Sequence, residues 1–200
     1  MRRGIVVALV TLTLQVAAWA DGIDIINKVG TISISTAGIT SKGSQIKQFN
    51  LLGSGQSLGS VFFSTGALVS GSIQAGGIFS GVGSAFQVIG MGNGGQPKGV
   101  IFNGAFVGPI TWTLVSQNGS RLIFQLVGDL SGQLFNGTTV TGTTTQIFRT
   151  TPAQLAKGIV HITSGHTQLA AAPEPGTLGM LGIGLLGIAR MARRKLLSRG

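Results

Sequence analysis

Between residues 22 and 165 no stretch holds its apolar residues at a helical period. Short β-branched and aromatic runs alternate instead with Gly, Asn and Ser punctuation, the pattern of strands joined by turns. The runs predict strands over residues 31–36, 45–50, 60–65, 67–74, 85–90, 100–107, 110–116, 121–127, 133–140, 143–148 and 158–163. Gln117-Asn118-Gly119-Ser120 separates two of them, and Asn-Gly predicts a hairpin with a type I′ turn. In its second arm Leu122, Phe124 and Leu126 share one face, whereas Arg121, Ile123, Gln125 and Val127 take the other. Residues 151–157 predict a helical turn, with Pro152 at its start. Many short antiparallel strands at this spacing imply an all-β domain, an antiparallel β-sandwich or barrel. A β-solenoid is the alternative. An apolar-Phe-polar-Gly echo recurs at Ile78-Phe79-Ser80-Gly81, Ile101-Phe102-Asn103-Gly104 and Leu134-Phe135-Asn136-Gly137. Its spacing is unequal, so it reads as recurrent strand ends and not as a repeat.

Composition places this β domain outside the cytoplasm. Gly contributes 34 of 200 residues and only 9% are charged, against about 7% Gly and about 25% charge in ordinary domains. Hydrophobic residues make up 43% of the chain, too many for a disordered Gly/Ser polymer. Cys is absent, so stability rests on burial and strand pairing. At the N-terminus Arg2 and Arg3 precede an apolar run, which closes on Ala18-Trp19-Ala20 before Asp21. That order describes an export signal: a basic start, an apolar helix, and small residues Ala18 and Ala20 for the shallow subsites of signal peptidase. Residues 1–20 are thus expected to be a helical signal peptide, with the mature chain starting at Asp21.

The net charge of +10 suggests a nucleic-acid surface until its distribution is examined. Arg2 and Arg3 lie in the signal, and Arg190, Arg193, Arg194, Lys195 and Arg199 lie in the tail. Between residues 21 and 172 the basic residues are Lys28, Lys42, Lys47, Lys98, Arg121, Arg149 and Lys157; set against Asp21, Asp24 and Asp129 they leave +4. They are scattered and not interleaved with aromatics, unlike a nucleic-acid footprint.

Motifs that usually carry chemistry lack their setting here. Gly55-Gln56-Ser57-Leu58-Gly59 fits the G-x-S-x-G nucleophile elbow, but a strand follows where that elbow needs a helix. Gly90-Met91-Gly92-Asn93-Gly94-Gly95 fits G-x-G-x-x-G, yet it also leads into a strand and no acidic residue lies at the ribose-binding distance. His161 and His166 are the two histidines; their odd spacing puts them on opposite faces of an extended strand unless Ser164-Gly165 turns the chain. Asp129, beside Gly128, reads as a turn residue. These observations predict no catalytic residue, no cofactor and no metal. An aromatic sugar platform would have to use Trp112, the one tryptophan left after signal removal.

The tail is the most specific segment. Pro173-Glu174-Pro175 precedes residues 176–189, which carry no charge, and Arg190, Arg193, Arg194 and Lys195 close the run. As a helix, residues 176–189 reach about 21 Å, short of the ~30 Å hydrocarbon core unless residues through 192 extend it with Arg190 snorkelling. After an exported N-terminus the basic cluster is expected to stay cytoplasmic and stop transfer. The prolines keep a helix from spreading upstream, which leaves an extended segment at the membrane surface for a protease.

In this order, Pro173-Glu174-Pro175, a Gly/Leu-rich run and a basic stop resemble the PEP-CTERM protein-sorting signal of Gram-negative bacteria. The likeness covers about one eighth of the chain. It implies recognition and cleavage near the tripeptide by a membrane-embedded exosortase, and association with the cell surface, biofilm and exopolysaccharide. The run Gly108-Pro109-Ile110-Thr111-Trp112-Thr113-Leu114 is similar to β-rich proteins that carry the same signal, and implies no activity.

The resulting expectation is a signal peptide over 1–20, a β-rich extracytoplasmic domain over 21–169 and a sorting and anchor segment over 170–200, with a transmembrane helix at 176–189 and a basic tail at 190–200. The protein is expected to be an exported, non-enzymatic surface or matrix component. Its partners would be signal peptidase, an exosortase-type enzyme, the membrane and exopolysaccharide, not nucleic acid. The domain would be periplasmic on an inner-membrane anchor and then, once processed, at the cell surface or outside. The other classes are a carbohydrate-binding or adhesive module and a secreted hydrolase.

Overall fold

The computed structural model describes residues 22–50, 53–54, 58–93 and 95–171, together with Gly184. The strands are β1 (Ile23–Ser35), β2 (Gly38–Phe49), β3 (Gly53–Ser54), β4 (Gly59–Ser64), β5 (Leu68–Ser72), β6 (Gly76–Phe79), β7 (Ala85–Met91), β8 (Lys98–Asn118), β9 (Arg121–Leu134), β10 (Thr139–Thr150) and β11 (Ile159–Ala171). Every pairing is antiparallel. The neighbour order β8–β7–β4–β2–β1–β11–β10–β9 closes on itself because β9 also pairs with β8. The domain is therefore an 8-stranded barrel; of the sandwich, barrel and solenoid readings, the barrel is the one formed. Closure leaves its wall without free edges.

Alternation is what fills the barrel. In β9, Leu122, Phe124, Leu126 and Leu130 are buried while Ile123, Gln125 and Val127 are half-buried on the other face, as the apolar pattern predicts. β8 unites the two strands expected over 100–107 and 110–116. It switches partners along its length, from β7 through residues 98–104 to β6 through residues 110–113. The switch lies at Gly108-Pro109, where the β8–β9 register shifts between Val107 and Thr111. Gly108 takes φ +76°, and Pro109 has no N–H to give to a ladder. The β5–β6 hairpin is consequently an annex on the far half of β8, and Gly76–Phe79 is a strand the sequence pattern did not predict.

Four local expectations change. The hairpin between β8 and β9 has Gly119 and Ser120 as its loop, and among those residues Gly119 alone has positive φ, +57°. Glycine at the first central position is the type II′ arrangement, not type I′. Residues 133–140 are not one strand: β9 ends at Leu134, and a turn at residues 135–138 leads to β10. There Asn136 Oδ1 accepts from the Thr138 N–H at 3.1 Å, so a local side-chain bond outcompetes the ladder. Phe102 lies inside β8, buried, whereas Phe135 is 63% exposed, so the Phe-Gly echo does not mark strand ends uniformly. Asp129 is a strand residue, paired with Val107 and Thr143; Gly128 beside it leaves room for the Phe106 ring, 2.6 Å from where a Cβ would stand. The predicted helical turn does form, as α1 (Pro152–Ala156), capped by the Thr151 side chain, which accepts from the Gln154 N–H.

Two kinds of lining meet inside. Against β4, β7 and β8, Phe63, Phe86, Phe102 and Phe106 pack as mutual stacked and edge contacts with centroids 5.7–6.3 Å apart. Trp112 stacks on Phe124 at 4.6 Å and meets Phe148 at 5.1 Å. Against β2, β1, β11 and β10 a belt of buried polar side chains interrupts the isoleucines. Asn27 Nδ2 donates to Ser44 Oγ at 2.7 Å and to Gln146 Oε1 at 2.9 Å. Gln146 Nε2 donates to Thr144 Oγ1 at 2.9 Å, and Thr144 shares a 2.8 Å hydroxyl contact with Thr167.

The signal peptide expected at 1–20, with Ala18, Ala20 and Asp21, lies outside the described residues. So do Pro173, Glu174, Pro175, Arg190, Arg193, Arg194, Lys195 and the apolar run 176–189 apart from Gly184. Among the described residues no helix is long and apolar enough to cross a membrane.

Candidate functional site at the terminal end of the barrel

β1 and β11 are neighbours, with Ile23 opposite Leu169 and Ile26 opposite His166. Gly22 and Ala171 therefore stand side by side at one end of the barrel. The β2–β4 connection, the β7–β8 loop and the β9–β10 turn lie at that same end. The β1–β2 turn, the β5–β6 annex, the β8–β9 hairpin and α1 occupy the other.

The first strand is held from both sides. Asn50, at φ +50°, ends β2; its Oδ1 accepts from the Asp24 N–H at 2.8 Å and its own N–H donates to the Asp24 carbonyl at 2.7 Å. From β11, His166 Nε2 lies 2.6 Å from Asp24 Oδ1, a contact that is an ion pair when the imidazole is protonated. Both side chains are nearly half exposed, 47% and 44%, so the contact is solvated and contributes little to stability.

His161 and His166 both face outward. The β10–β11 register shifts between Ile147 and Phe148, which pair with Ser164 and Ile162. This bulge takes up Thr163 and reverses the alternation. The odd offset thus does not put the histidines on opposite faces; a β-bulge cancels it.

A row of outward polar residues crosses four strands at this end: Asp129 on β9, Thr143 on β10, Gln168 on β11 and Asp24 on β1, each in register with the next. Along β10 the outward positions are Thr139, Thr141, Thr143 and Thr145. An open groove of about 380 Å³ runs over Asp24, Thr143 and Gln168, with Ile23, Leu169 and Ala170 and the backbone of Gly22 and Gly142, so its lining is mostly apolar. A second, of about 220 Å³, lies beyond it over Thr145, Ser164 and His166. The two carboxylates of the row are three strand spacings apart, roughly 14 Å. Paired-carboxylate glycoside hydrolysis works at about 5–9.5 Å. Among the described residues no group of three His, Cys, Asp or Glu side chains is placed to hold a metal ion.

The remaining candidates fall as follows. Trp112 is 1% exposed, and its indole N–H donates to the Ile73 carbonyl at 2.9 Å. It is a core residue, so an aromatic sugar platform built on Trp112 is excluded. Gly55, Gln56 and Ser57 lie outside the described residues; Leu58 is buried and Gly59 opens β4, a strand where the nucleophile elbow needs a helix. Gly90-Met91-Gly92 ends β7 and leads through a loop to β8, again with no helix for a pyrophosphate. The row on β9–β10–β11–β1 escaped sequence reasoning because its residues are far apart along the chain. The one local signal was the alternating threonines of β10.

No curated protein and no solved structure matches the chain. One family model does match, the PEP-CTERM protein-sorting motif, over residues 171–195. The match begins at Ala171, the last residue of β11. Such a signal implies export and processing by an exosortase-type enzyme; the chain carries the PEP-CTERM protein-sorting motif at residues 171–195, after an 8-stranded barrel.

Proposed function

We propose that the barrel is a non-enzymatic surface or matrix component that associates with extracellular polysaccharide through its outer β9–β10–β11–β1 face. The single observation behind this reading is the outward threonine rank of β10, with Asp129, Gln168, Asp24 and His166 beside it over two open grooves. Hydroxyls, an amide and carboxylates in register suit a polyhydroxyl chain lying along a flat face. Against a glycoside hydrolase built on Asp24 and Asp129 stands their separation of roughly 14 Å. On this reading signal peptidase removes residues 1–20 after Ala20, and the segment 176–189 holds the periplasmic barrel at the inner membrane. Cleavage near Pro173-Glu174-Pro175 then releases it to the cell surface.

The test has two arms. The processed protein, incubated with exopolysaccharide from the producing cells, co-sediments, and Thr143→Val with Gln168→Leu abolishes this while Ser120→Ala at the far end does not. Equal binding by both variants would reject the face. Mass spectrometry of the native C-terminus gives an end near Pro175, and Glu174→Ala or deletion of residues 173–175 leaves the full-length form in the membrane. An intact Gly200 in wild-type cells would overturn the processing step.

A further inference from the structure

The last β10–β11 pair is Val140 with Ala171, and β10 begins one residue earlier at Thr139, opposite Gln133 of β9. The turn over residues 135–138 therefore projects beyond the point where the chain leaves the wall, by roughly 7–10 Å at about 3.4 Å per residue. Phe135 stands on this turn, 63% exposed. Its N–H donates to the Ile101 carbonyl at 3.0 Å, which fixes the turn against the start of β8 beside Val100. Val100 pairs with Ile89, and Met91 with Lys98. Met91 is 54% and Val100 43% exposed. Among the described residues, the other large apolar side chains exposed on the barrel are all Val or Ile; the aromatic and the methionine are both at this end.

Among the described residues of the connections at this end, 92–93, 95–97 and 135–138 contain no charged residue. The uncharged apolar run begins at Gly176. From Ala171 the chain reaches it in at most about 18 Å, even fully extended. When that run is in a bilayer, this end of the barrel is held against the headgroups. It has exposed apolar side chains to insert, and these connecting segments have no charge to desolvate. Lys98 is the adjoining exposed cation for an anionic headgroup.

We propose that the β9–β10 turn, with Phe135 at its tip and Met91 and Val100 beside it, docks the unprocessed barrel end-on to the lipid surface. The occupant of this apolar rim is the bilayer interface. Docking orients the chain so that Pro173-Glu174-Pro175 is presented at the membrane. Cleavage removes the tether, and the rim alone then holds the barrel only weakly. The inference rests on the reading of residues 176–189 as membrane-inserted.

Because the chain has no cysteine, single labels are unique. Full-length, signal-cleaved protein carrying an environment-sensitive fluorophore at Asn136→Cys, Ser120→Cys or Leu181→Cys is reconstituted into phosphatidylethanolamine–phosphatidylglycerol vesicles containing nitroxide-labelled lipid. The expected result is strong quenching at 181, several-fold stronger quenching at 136 than at 120, and a blue-shifted emission at 136 that Phe135→Ser reverses. Quenching at 181 with 136 no more quenched than 120 overturns the docking and spares the anchor. No quenching at 181 overturns the anchor and the docking with it. If 136 is quenched to the same extent in the Phe135→Ser background, the aromatic tip is not the docking element and the proposal fails.

Discussion

The two halves of the barrel lining solve one problem by different means. Against β4, β7 and β8 the interior is filled with phenylalanine; the β4–β7 ladder has no register shift, while β7–β8 shifts once and β8–β9 twice. Against β2, β1, β11 and β10 the interior carries Asn27, Ser44, Thr144, Gln146 and Thr167, all buried and hydrogen-bonded to one another. The β1–β2 pairing there shifts three times, and β10–β11 shifts once. Apolar packing asks mainly for volume and shape, and both regular and bulged ladders supply them here. A polar network asks that every donor and acceptor be met, because an unmet one costs about 1–3 kcal/mol. The bulges of β1–β2 and β10–β11 lie beside the residues of that network. Gly165 shows how closely: a Cβ there would collide with Gln146 Oε1 and Asn27 Oδ1, so the strand has no side chain where the two amides meet. The same polar half carries the threonine rank and both grooves on its outer face.

The comparison breaks most visibly at the centre of the apolar half. Trp112→Ala removes a fully buried ring stacked on Phe124 and leaves the Ile73 carbonyl without its donor. The expected loss is about 3–5 kcal/mol, read as a fall in the denaturant midpoint. A loss under about 1 kcal/mol would mean that the β5–β6 annex is not part of the cooperative unit.

Shape alone should be tolerated less in the polar half. Thr144→Val is nearly isosteric, yet it takes a partner from both Gln146 Nε2 and Thr167 Oγ1. The expected cost is about 1–3 kcal/mol. Combined with Thr167→Val the cost should fall short of the sum, because the second change removes the orphaned hydroxyl. Ile32→Val, in the neighbouring aliphatic layer, should cost about 0.5–1.5 kcal/mol for the lost methyl. Equal costs for Thr144→Val and Ile32→Val would indicate that the network has no cooperative role.

These contrasts mark what a reader of the sequence could and could not see. Leu122, Phe124 and Leu126 declared their face because alternation is local, and Thr151-Pro152 declared a helix start because capping is local. Closure of the barrel depends on β8 meeting β9 along its whole length while exchanging β7 for β6, and no local signal reports that beyond Gly108-Pro109. The partners Asn27 and Gln146 are 119 positions apart, so their network has no trace in any window. His161 and His166 were misassigned because a one-residue bulge reverses alternation and has no signature in Thr163. The sorting motif was legible because its residues stand in linear order along the sequence. The outward polar row of Asp129, Thr143, Gln168 and Asp24 was not, since it exists only after four strands align.

The smallest effect is the most diagnostic, because its sign differs between the halves. Val29, on β1 beside Asn27, is 64% exposed and sits at φ +55°. A β-branched residue in the left-handed region is an outlier, and the conformation costs an L-residue roughly 1–2 kcal/mol. It persists because the bulge between Lys28 and Gly30 is needed to bring Asn27 inward against Ser44 and Gln146. Asn tolerates that region, and Val29 has little burial to lose. Val29→Asn should therefore raise stability, by about 0.5–1 kcal/mol once its lower strand preference is set against the relief. Val115 on β8 is similarly exposed, 55%, but has no positive φ. Val115 is also the extra residue of a bulge, between Leu114 and Ser116, so the same replacement there lacks only the relief of positive φ and should cost up to about 1 kcal/mol. Opposite signs in paired denaturation curves would show that the polar half holds strain to keep its network closed. A loss at both positions would mean that the bulge at Val29 is relaxed and that the network imposes no cost on the wall.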